Sequence, residues 1–418
     1  MFTPEVILLT ILVFFLLVGI HEWGHFYFAK RAGILVREFA IGFGPRVFSY
    51  KRGETRYTFR LLPLGGFVRM AGEDPEIIQI SPGQTIAVKL EDDQVTTIYL
   101  DQLDSRRDVL IGEVEHIDLE RSLSVKLQVE GDNFQYAVHP QAMMVARGKD
   151  TQIAPLDRQF GGKSVGKRAM AIFAGPMMNF ILAFLLFLTY MWMTGIPEHL
   201  RMAKIETQSP AEVSGLQEGD LIIAVDGQEI GFDSQRFVDM IASSAGKPML
   251  WTVRRGGEDK VLQITPNDVE GTGKVGVHIG LYTRDASLGE VITGAGNLMW
   301  DFTEQIFIGF KMLVTLQFNL DDLGGPVRIV EVTGQAASLG IDRLLLWAAL
   351  LSLYLGIFNL LPFPALDGSR LLFLGIEAVR GKPVDPNKES MVHFIGFALL
   401  MMLMVAVTYN DILRLFKG

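Results

Sequence analysis

Residues 5–29 read EVILLTILVFFLLVGIHEWGHFYFA, an apolar run with two histidines and a glutamate near its end. At about 1.5 Å per residue, a helix of this length crosses a bilayer core of roughly 30 Å. Its start lacks a basic segment and no small-residue cleavage site follows, so it reads as a retained span rather than a leader. His21-Glu22-Trp23-Gly24-His25 is an H-E-x-x-H sequence. Four residues of rise place both imidazoles on one helix face, about 6 Å apart along the axis, a spacing that suits one zinc ion. Glu22 can then act as general base toward a water that the metal acidifies, while a third protein ligand leaves the fourth position open. Ionisable groups at such depth are expensive to bury and usually mark a functional site. The competing reading has the histidines only hydrogen-bonding neighbouring helices.

The rest of the composition agrees with a membrane protein. Of 418 residues 49% are hydrophobic, and the mean hydropathy of +0.29 implies several spans plus one or two soluble domains. A net charge of −9 argues against a nucleic-acid binder. Without any cysteine there is no disulfide framework and no Cys-type zinc site, so a metal must be held by His, Asp or Glu.

Further spans are expected at about Arg168–Met193, Leu344–Leu361 and Val392–Ile412, four in all. Basic residues set their orientation. Lys30, Arg31, Arg37, Arg46, Lys51, Arg52, Arg56, Arg60 and Arg69 follow the first span, against only Glu38 and Glu54 before position 70. The first loop is therefore expected in the cytoplasm, with the N-terminus and residues 194–342 outside.

Eight segments follow from this reading: the first span (1–30), a membrane-associated β-hairpin region (31–74), a β-rich cytoplasmic insertion (75–160), the second span (161–196), a folded extracytoplasmic domain (197–284), an amphipathic membrane-surface helix and loop (285–341), the third span with a Leu-Asp-Gly motif (342–383), and the fourth span with its tail (384–418). The hairpin is suggested by Gly42-Phe-Gly-Pro45 and the apolar, turn-rich stretch from Tyr57 to Met70. Its edge, with Tyr57, Phe59 and Leu61, can receive an extended substrate strand. The amphipathic helix is read over 297–320, with Leu298, Phe302, Ile306, Phe310, Leu313 and Leu316 near one face. In the 197–284 segment, Gly219-Asp-Leu-Ile-Ile-Ala-Val-Asp-Gly227 looks like the core of a bacterial PDZ domain, an α+β fold that binds peptides by strand addition or closes a site as a lid.

The missing ligand is sought at the cytoplasmic end of another span. Asn359-Leu-Leu-Pro-Phe-Pro-Ala-Leu-Asp-Gly368 closes the third, and Asp367 is the candidate, with Pro362 and Pro364 breaking the helix so that a carboxylate can turn inward. Asp367 can equally be a turn or N-cap residue before a helix over Ser369–Val379.

HEWGH, GFGP, FAGPMMNF at 173–180, the PDZ-like segment and NLLPFPALDG together resemble the site-2 protease family, over nearly the whole chain. The 75–160 insertion departs from the shorter loop of some members. The resemblance implies an intramembrane zinc endopeptidase of the bacterial cell membrane, with His21, His25 and Asp367 holding Zn2+ and Glu22 as catalytic base. It implies that Asn359 positions the substrate or stabilises its oxyanion. Implied substrates are single-pass membrane proteins already trimmed outside, of the anti-sigma-factor type or signal-peptide remnants, with the PDZ domain as a size filter. Two rivals are a membrane-anchored PDZ scaffold without proteolytic activity and a metal transporter, the latter disfavoured by the scarcity of intramembrane carboxylates.

Overall fold

The computed structural model describes residues 3–73, 80–315, 317 and 324–417. Four of its helices are long and apolar enough to cross a membrane: α1 (Pro4–Arg31), α2 (Val165–Thr194), and the later α7 (Ile341–Leu360) and α9 (Pro386–Lys417), the last through its Asn387–Arg414 stretch. Thr3 caps α1, its Oγ1 accepting from Val6 N, and Pro4 occupies the first turn, where its missing N–H costs nothing. Lys30 and Arg31 sit in the last turn, where the helix dipole favours cations. The chain forms two compact units, residues 1–186 with 302–418, and residues 187–301.

In the first unit, α1 leads into β1 (Val36–Arg52) and β2 (Thr55–Met70). Both strands are bent and pair along four segments. Arg46–Arg52 pairs with Thr55–Arg60, whereas Ala40 has Phe67 on one side and Thr58 on the other. The segments therefore lie in the order 46–52, 55–62, 36–43, 66–70. The bends fall at glycines with left-handed backbone: Gly42 has φ 92°, and a Cβ there would come within 2.7 Å of Leu62 O. Gly65, at φ 117°, is the corresponding bend in β2. Phe59 stacks on Phe15 of α1 with ring centroids 5.7 Å apart. Phe15 lies six residues before His21, about 9 Å along the helix, so the sheet runs alongside the span rather than only at its end.

A closed β-barrel follows, made of β3 (Thr85–Glu91), β4 (Gln94–Tyr99), β5 (Leu110–Asp118), β6 (Ser124–Val129) and β7 (Asp132–Ala146), with β8 (Lys149–Gln152) attached to β7. β4 pairs with both β3 and β7, which closes the ring and removes free edges. Ile86, Val88, Val95, Ile98, Val125 and Leu127 fill its interior. Residues 75–79 of the expected insertion lie outside the described residues.

The second unit holds β9 (Ile196–Ile205), the one-turn α3 (Pro210–Val213), β10 (Leu221–Val225), β11 (Gln228–Glu229), α4 (Ser234–Ala242), β12 (Met249–Arg255), β13 (Glu258–Ile264), β14 (Asn267–Val269), β15 (Thr272–Lys274) and β16 (Val277–Arg284). Its main sheet has the order β13-β12-β10-β9-β16, and Phe237 of α4 packs on Trp251 at its centre. Next comes α5 (Leu288–Val314), followed in the first unit by α6 (Pro326–Leu339), α7 and α8 (Asp367–Arg380) before α9.

Two helices differ from expectation. α5 begins nine residues before 297, because Ser287 and Glu290 form a capping box in which each side chain accepts from the other's backbone N–H. It does not qualify as a span among the described residues, and Leu316 of its expected apolar face lies outside them. α6 was not expected at all. Its cap comes from far away in sequence: buried Asp411 of α9 accepts from Gly325 N at 3.1 Å and Arg328 N at 2.9 Å.

Candidate metal centre

One turn of α1 carries His21, Glu22 and His25, all buried. Space for them comes from α2. A Cβ on Gly175 would lie 2.2 Å from His25 Nε2, and one on Gly24 would lie 2.3 Å from Ala174 O. Two glycines thus let the helix backbones touch at the level of the histidines. Ala171 O accepts from His25 Nδ1 at 2.9 Å, which fixes the tautomer and turns the lone pair of Nε2 inward.

Asp367 approaches from another direction. The link from α7 to α8 is so tight that a Cβ on Gly368 would fall 2.3 Å from both Leu360 O and Leu361 O. Only glycine permits that fold-back, and it leaves Asp367 at the first residue of α8, beyond N-cap Leu366. The carboxylate does not cap the helix. Its Oδ2 stands 3.2 Å from His21 Nε2 and 3.3 Å from His25 Nε2, with the two nitrogens 3.2 Å apart. A double hydrogen bond from Arg168 of α2 to Glu377 of α8 holds the two supporting helices together.

The triangle is a test of the donor set. Three electron-pair atoms face one point, and Asp367 Oδ2 is buried without a well-directed donor. Such an arrangement is repulsive unless a cation, or a proton on one of the imidazoles, sits among them. Ligands about 2.0–2.1 Å from zinc at tetrahedral angles are about 3.3 Å apart, which matches all three edges. The residues fit zinc.

Around the triangle, Gly66 of β2 lies against Glu22: a Cβ there would meet Glu22 Cγ at 2.7 Å. Gly66–Met70 pairs only with β1 among the described residues, so it is a free edge. Tyr57 and Phe59 are placed differently from the edge expected of them. Their strand is interior, with Tyr57 between Tyr50 and Phe39, and Phe59 between Phe48 and Ile41, because the glycine bends fold β1 across both sides of it. Leu61 is exposed on the same strand. Asn359 lies near the end of α7, where its Nδ2 donates to Leu355 O at 2.9 Å. Gly66 and Gly175 lie in the Gly-Gly pair at 65–66 and in FAGPMMNF, where a sequence signal exists, whereas Ala171 O lies outside both motifs and has none.

A profile of peptidase family M50 matches residues 9–403. The chain belongs to peptidase family M50. This M50 peptidase is 45% identical over 97% of its length to the zinc metalloprotease RasP of Oceanobacillus iheyensis, covering 98% of that protein. It is 44% identical to the regulator of sigma-W protease RasP of Bacillus subtilis, over 97% of this chain and 98% of that one. It is 39% identical to the probable protease eep of Enterococcus faecalis, over 99% and 100%. Among solved structures, a PDZ domain of an SdrC-like protein from Listeria monocytogenes is similar over 20% of this chain and 90% of its own, at 25% identity and a TM-score of 0.19. The M50 peptidase is thus an intramembrane zinc metalloprotease, and the resemblance to site-2 proteases holds.

Proposed function

We propose that this peptidase hydrolyses peptide bonds within the transmembrane segments of single-pass proteins already trimmed on the outer side, of the anti-sigma-factor or signal-peptide-remnant type. The observation that carries this reading is the 3.2–3.3 Å triangle of His21, His25 and Asp367, set within an apolar span beside a free strand edge. On this reading the three residues would hold zinc, which would supply Lewis acidity at the scissile carbonyl. Glu22 is the base that accepts a proton from the attacking water and returns it to the leaving nitrogen.

A substrate helix hides its peptide bonds behind side chains and internal hydrogen bonds, so it must unwind first. The free edge at Gly66–Met70 offers main-chain donors and acceptors to the unwound strand, and Gly66 beside Glu22 sets the bond to be cut against the base. Tyr57 and Phe59 lie in the interior strand, where Phe59 braces the sheet on Phe15, and Leu61 is exposed on the same strand. Asn359 keeps its amide oxygen and one N–H for substrate. In the same reading the barrel faces the cytoplasm, the N-terminus and a PDZ domain over 197–284 lie outside, and that domain excludes untrimmed substrates.

Purified wild type and Glu22→Gln are to be compared on a pre-trimmed single-pass helix, with zinc assayed in both. Cleavage by wild type alone, with zinc in both, supports the reading. Equal cleavage removes Glu22 from the mechanism, and binding without cleavage by either moves the scaffold reading ahead. Since the chain has no cysteine, single-cysteine variants at Ser122 and Ser243 report sidedness to an impermeant thiol reagent.

A further inference from the structure

The barrel has no part in the chemistry above, yet it is bound to the substrate-presenting sheet: Arg37 of β1 donates to Gln152 O of β8 at 3.0 Å, and two further places hold more firmly. The first is the tip of the β1–β2 turn. Glu54 there accepts from both terminal nitrogens of Arg158, each at 2.7 Å, from Gln152 Nε2 at 2.6 Å and from Gln141 Nε2 at 3.2 Å. Gln141 belongs to β7, Gln152 to β8, and Arg158 to the turn that follows. A forked guanidinium–carboxylate pair fixes orientation as well as distance.

The second place is the root of the sheet. Leu35 N donates to Arg158 O at 2.9 Å, Ala71 N donates to Leu35 O at 2.9 Å, and Phe160 N donates to Ala71 O at 2.7 Å. Leu35, Ala71 and Ala154 are packed together with almost no exposure. Segment 152–160 therefore grips β1 just before its first residue, the turn between the strands, and β2 just after its last residue.

The position of Ala71 matters because β2 is continuous from there to Gly66. Five residues of strand span roughly 17 Å, paired to β1 from the Phe39/Val68 pair to the Ile41/Gly66 pair, with one register irregularity where Val36 faces Met70 and Glu38 faces Arg69. A displacement at Ala71 is carried to the residue that touches Glu22.

We propose that the barrel is a clamp on the active-site sheet, with Glu54 and Arg158 as positioning residues that keep the Gly66–Met70 edge in register with Glu22. This rests on the proposed role of that edge. Neither residue touches substrate; each acts through the sheet.

The test is a charge-swap cycle in the full-length enzyme: Glu54→Arg, Arg158→Glu and the double variant, with kcat, KM, zinc content and thermal melting measured on each. A nitroxide on a cysteine replacing exposed Arg69 reports sheet mobility without any turnover. Each single change is expected to lower kcat by roughly ten- to hundredfold, the range of a misplacement of about 1 Å. Zinc is retained, the nitroxide becomes more mobile, and the double variant regains most of both losses. Singles with wild-type kcat and an unchanged nitroxide spectrum overturn the clamp, as does a double variant no better than the singles while zinc and melting are intact. If the nitroxide responds and recovers but kcat never moves, the barrel holds the sheet without placing it for catalysis, and the proposal also fails. The chemical reading has its own readout in Glu22→Gln, which leaves the nitroxide unchanged, so the two fail separately.

Discussion

Gly175→Ala puts a methyl group where His25, a proposed zinc ligand, needs room. The added Cβ would lie 2.2 Å from His25 Nε2 and 2.5 Å from its Cε1, so the ring or the helix must yield by about 1.2 Å to restore ordinary contact at 3.4 Å. α2 cannot withdraw without losing the bond from His25 Nδ1 to Ala171 O, nor advance, since Gly24 already rests on Ala174 O. Overpacking of this kind costs about 1–3 kcal/mol. If releasing the metal relieves that strain, the zinc dissociation constant rises by about 5- to 150-fold, at about 1.4 kcal/mol per factor of ten. The assay is zinc competition against a chelator of known affinity, with cleavage followed in parallel. Gly166→Ala on the same helix is the control, because nothing lies within 4 Å of its Cβ position. A Gly175→Ala enzyme that holds zinc as tightly as wild type and cleaves at the same rate would refute the reasoning.

Gly66→Ala crowds Glu22 without touching a ligand, so it should lower kcat at full zinc occupancy; a parallel loss of zinc would show that the sheet supports the metal instead. Asp411→Ala leaves the N–H groups of Gly325 and Arg328 without their acceptor, and unfolding in detergent should show a loss of about 1–3 kcal/mol, with unchanged melting counting against the cap. Arg158's hydrogen bonds hold the Glu54 carboxyl down to about 2 from an ordinary 4.5, against the opposing effect of its partial burial. A folded-state pKa below the unfolded one contributes stability that is complete above pH 4.5 and lost as pH falls toward 2. The melting difference between wild type and Glu54→Gln should therefore be constant above about pH 5.5 and shrink below 4.5; a difference that persists at pH 2 would assign the effect to something else.

The candidate metal centre was partly legible because part of its chemistry is written locally: H-E-x-x-H needs only helix geometry, and the absence of cysteine left His, Asp or Glu for the third ligand, with Asp367 the candidate at the end of the third span and the resemblance implying it. What the sequence reading missed depends on backbones that approach from far apart. Tyr57 and Phe59 do not lie on the expected edge because Gly42 and Gly65 bend both strands, which turns one hairpin into four paired segments and gives that stretch a neighbouring strand on each side. α6 was invisible because its β-branched sequence favours a helix only weakly, and its capping carboxylate stands on α9. The start of α5, by contrast, was readable: Ser287-Leu-Gly-Glu290 is a capping box placed before an apolar run.

The bond from Phe160 N to Ala71 O has one more consequence. The chain leaves the sheet at Ala71, builds a whole barrel, and returns to the same spot roughly 90 residues later. Loop closure costs only a few tenths of a kcal/mol more as such an excursion lengthens, so its size is nearly free to vary. The barrel is in effect a cassette whose entry and exit meet at one point of the sheet, with its second hold, on Glu54, made by Gln141, Gln152 and Arg158. The strands on its far side, β3 to β6, can therefore change in length without rerouting the segment that clamps the sheet.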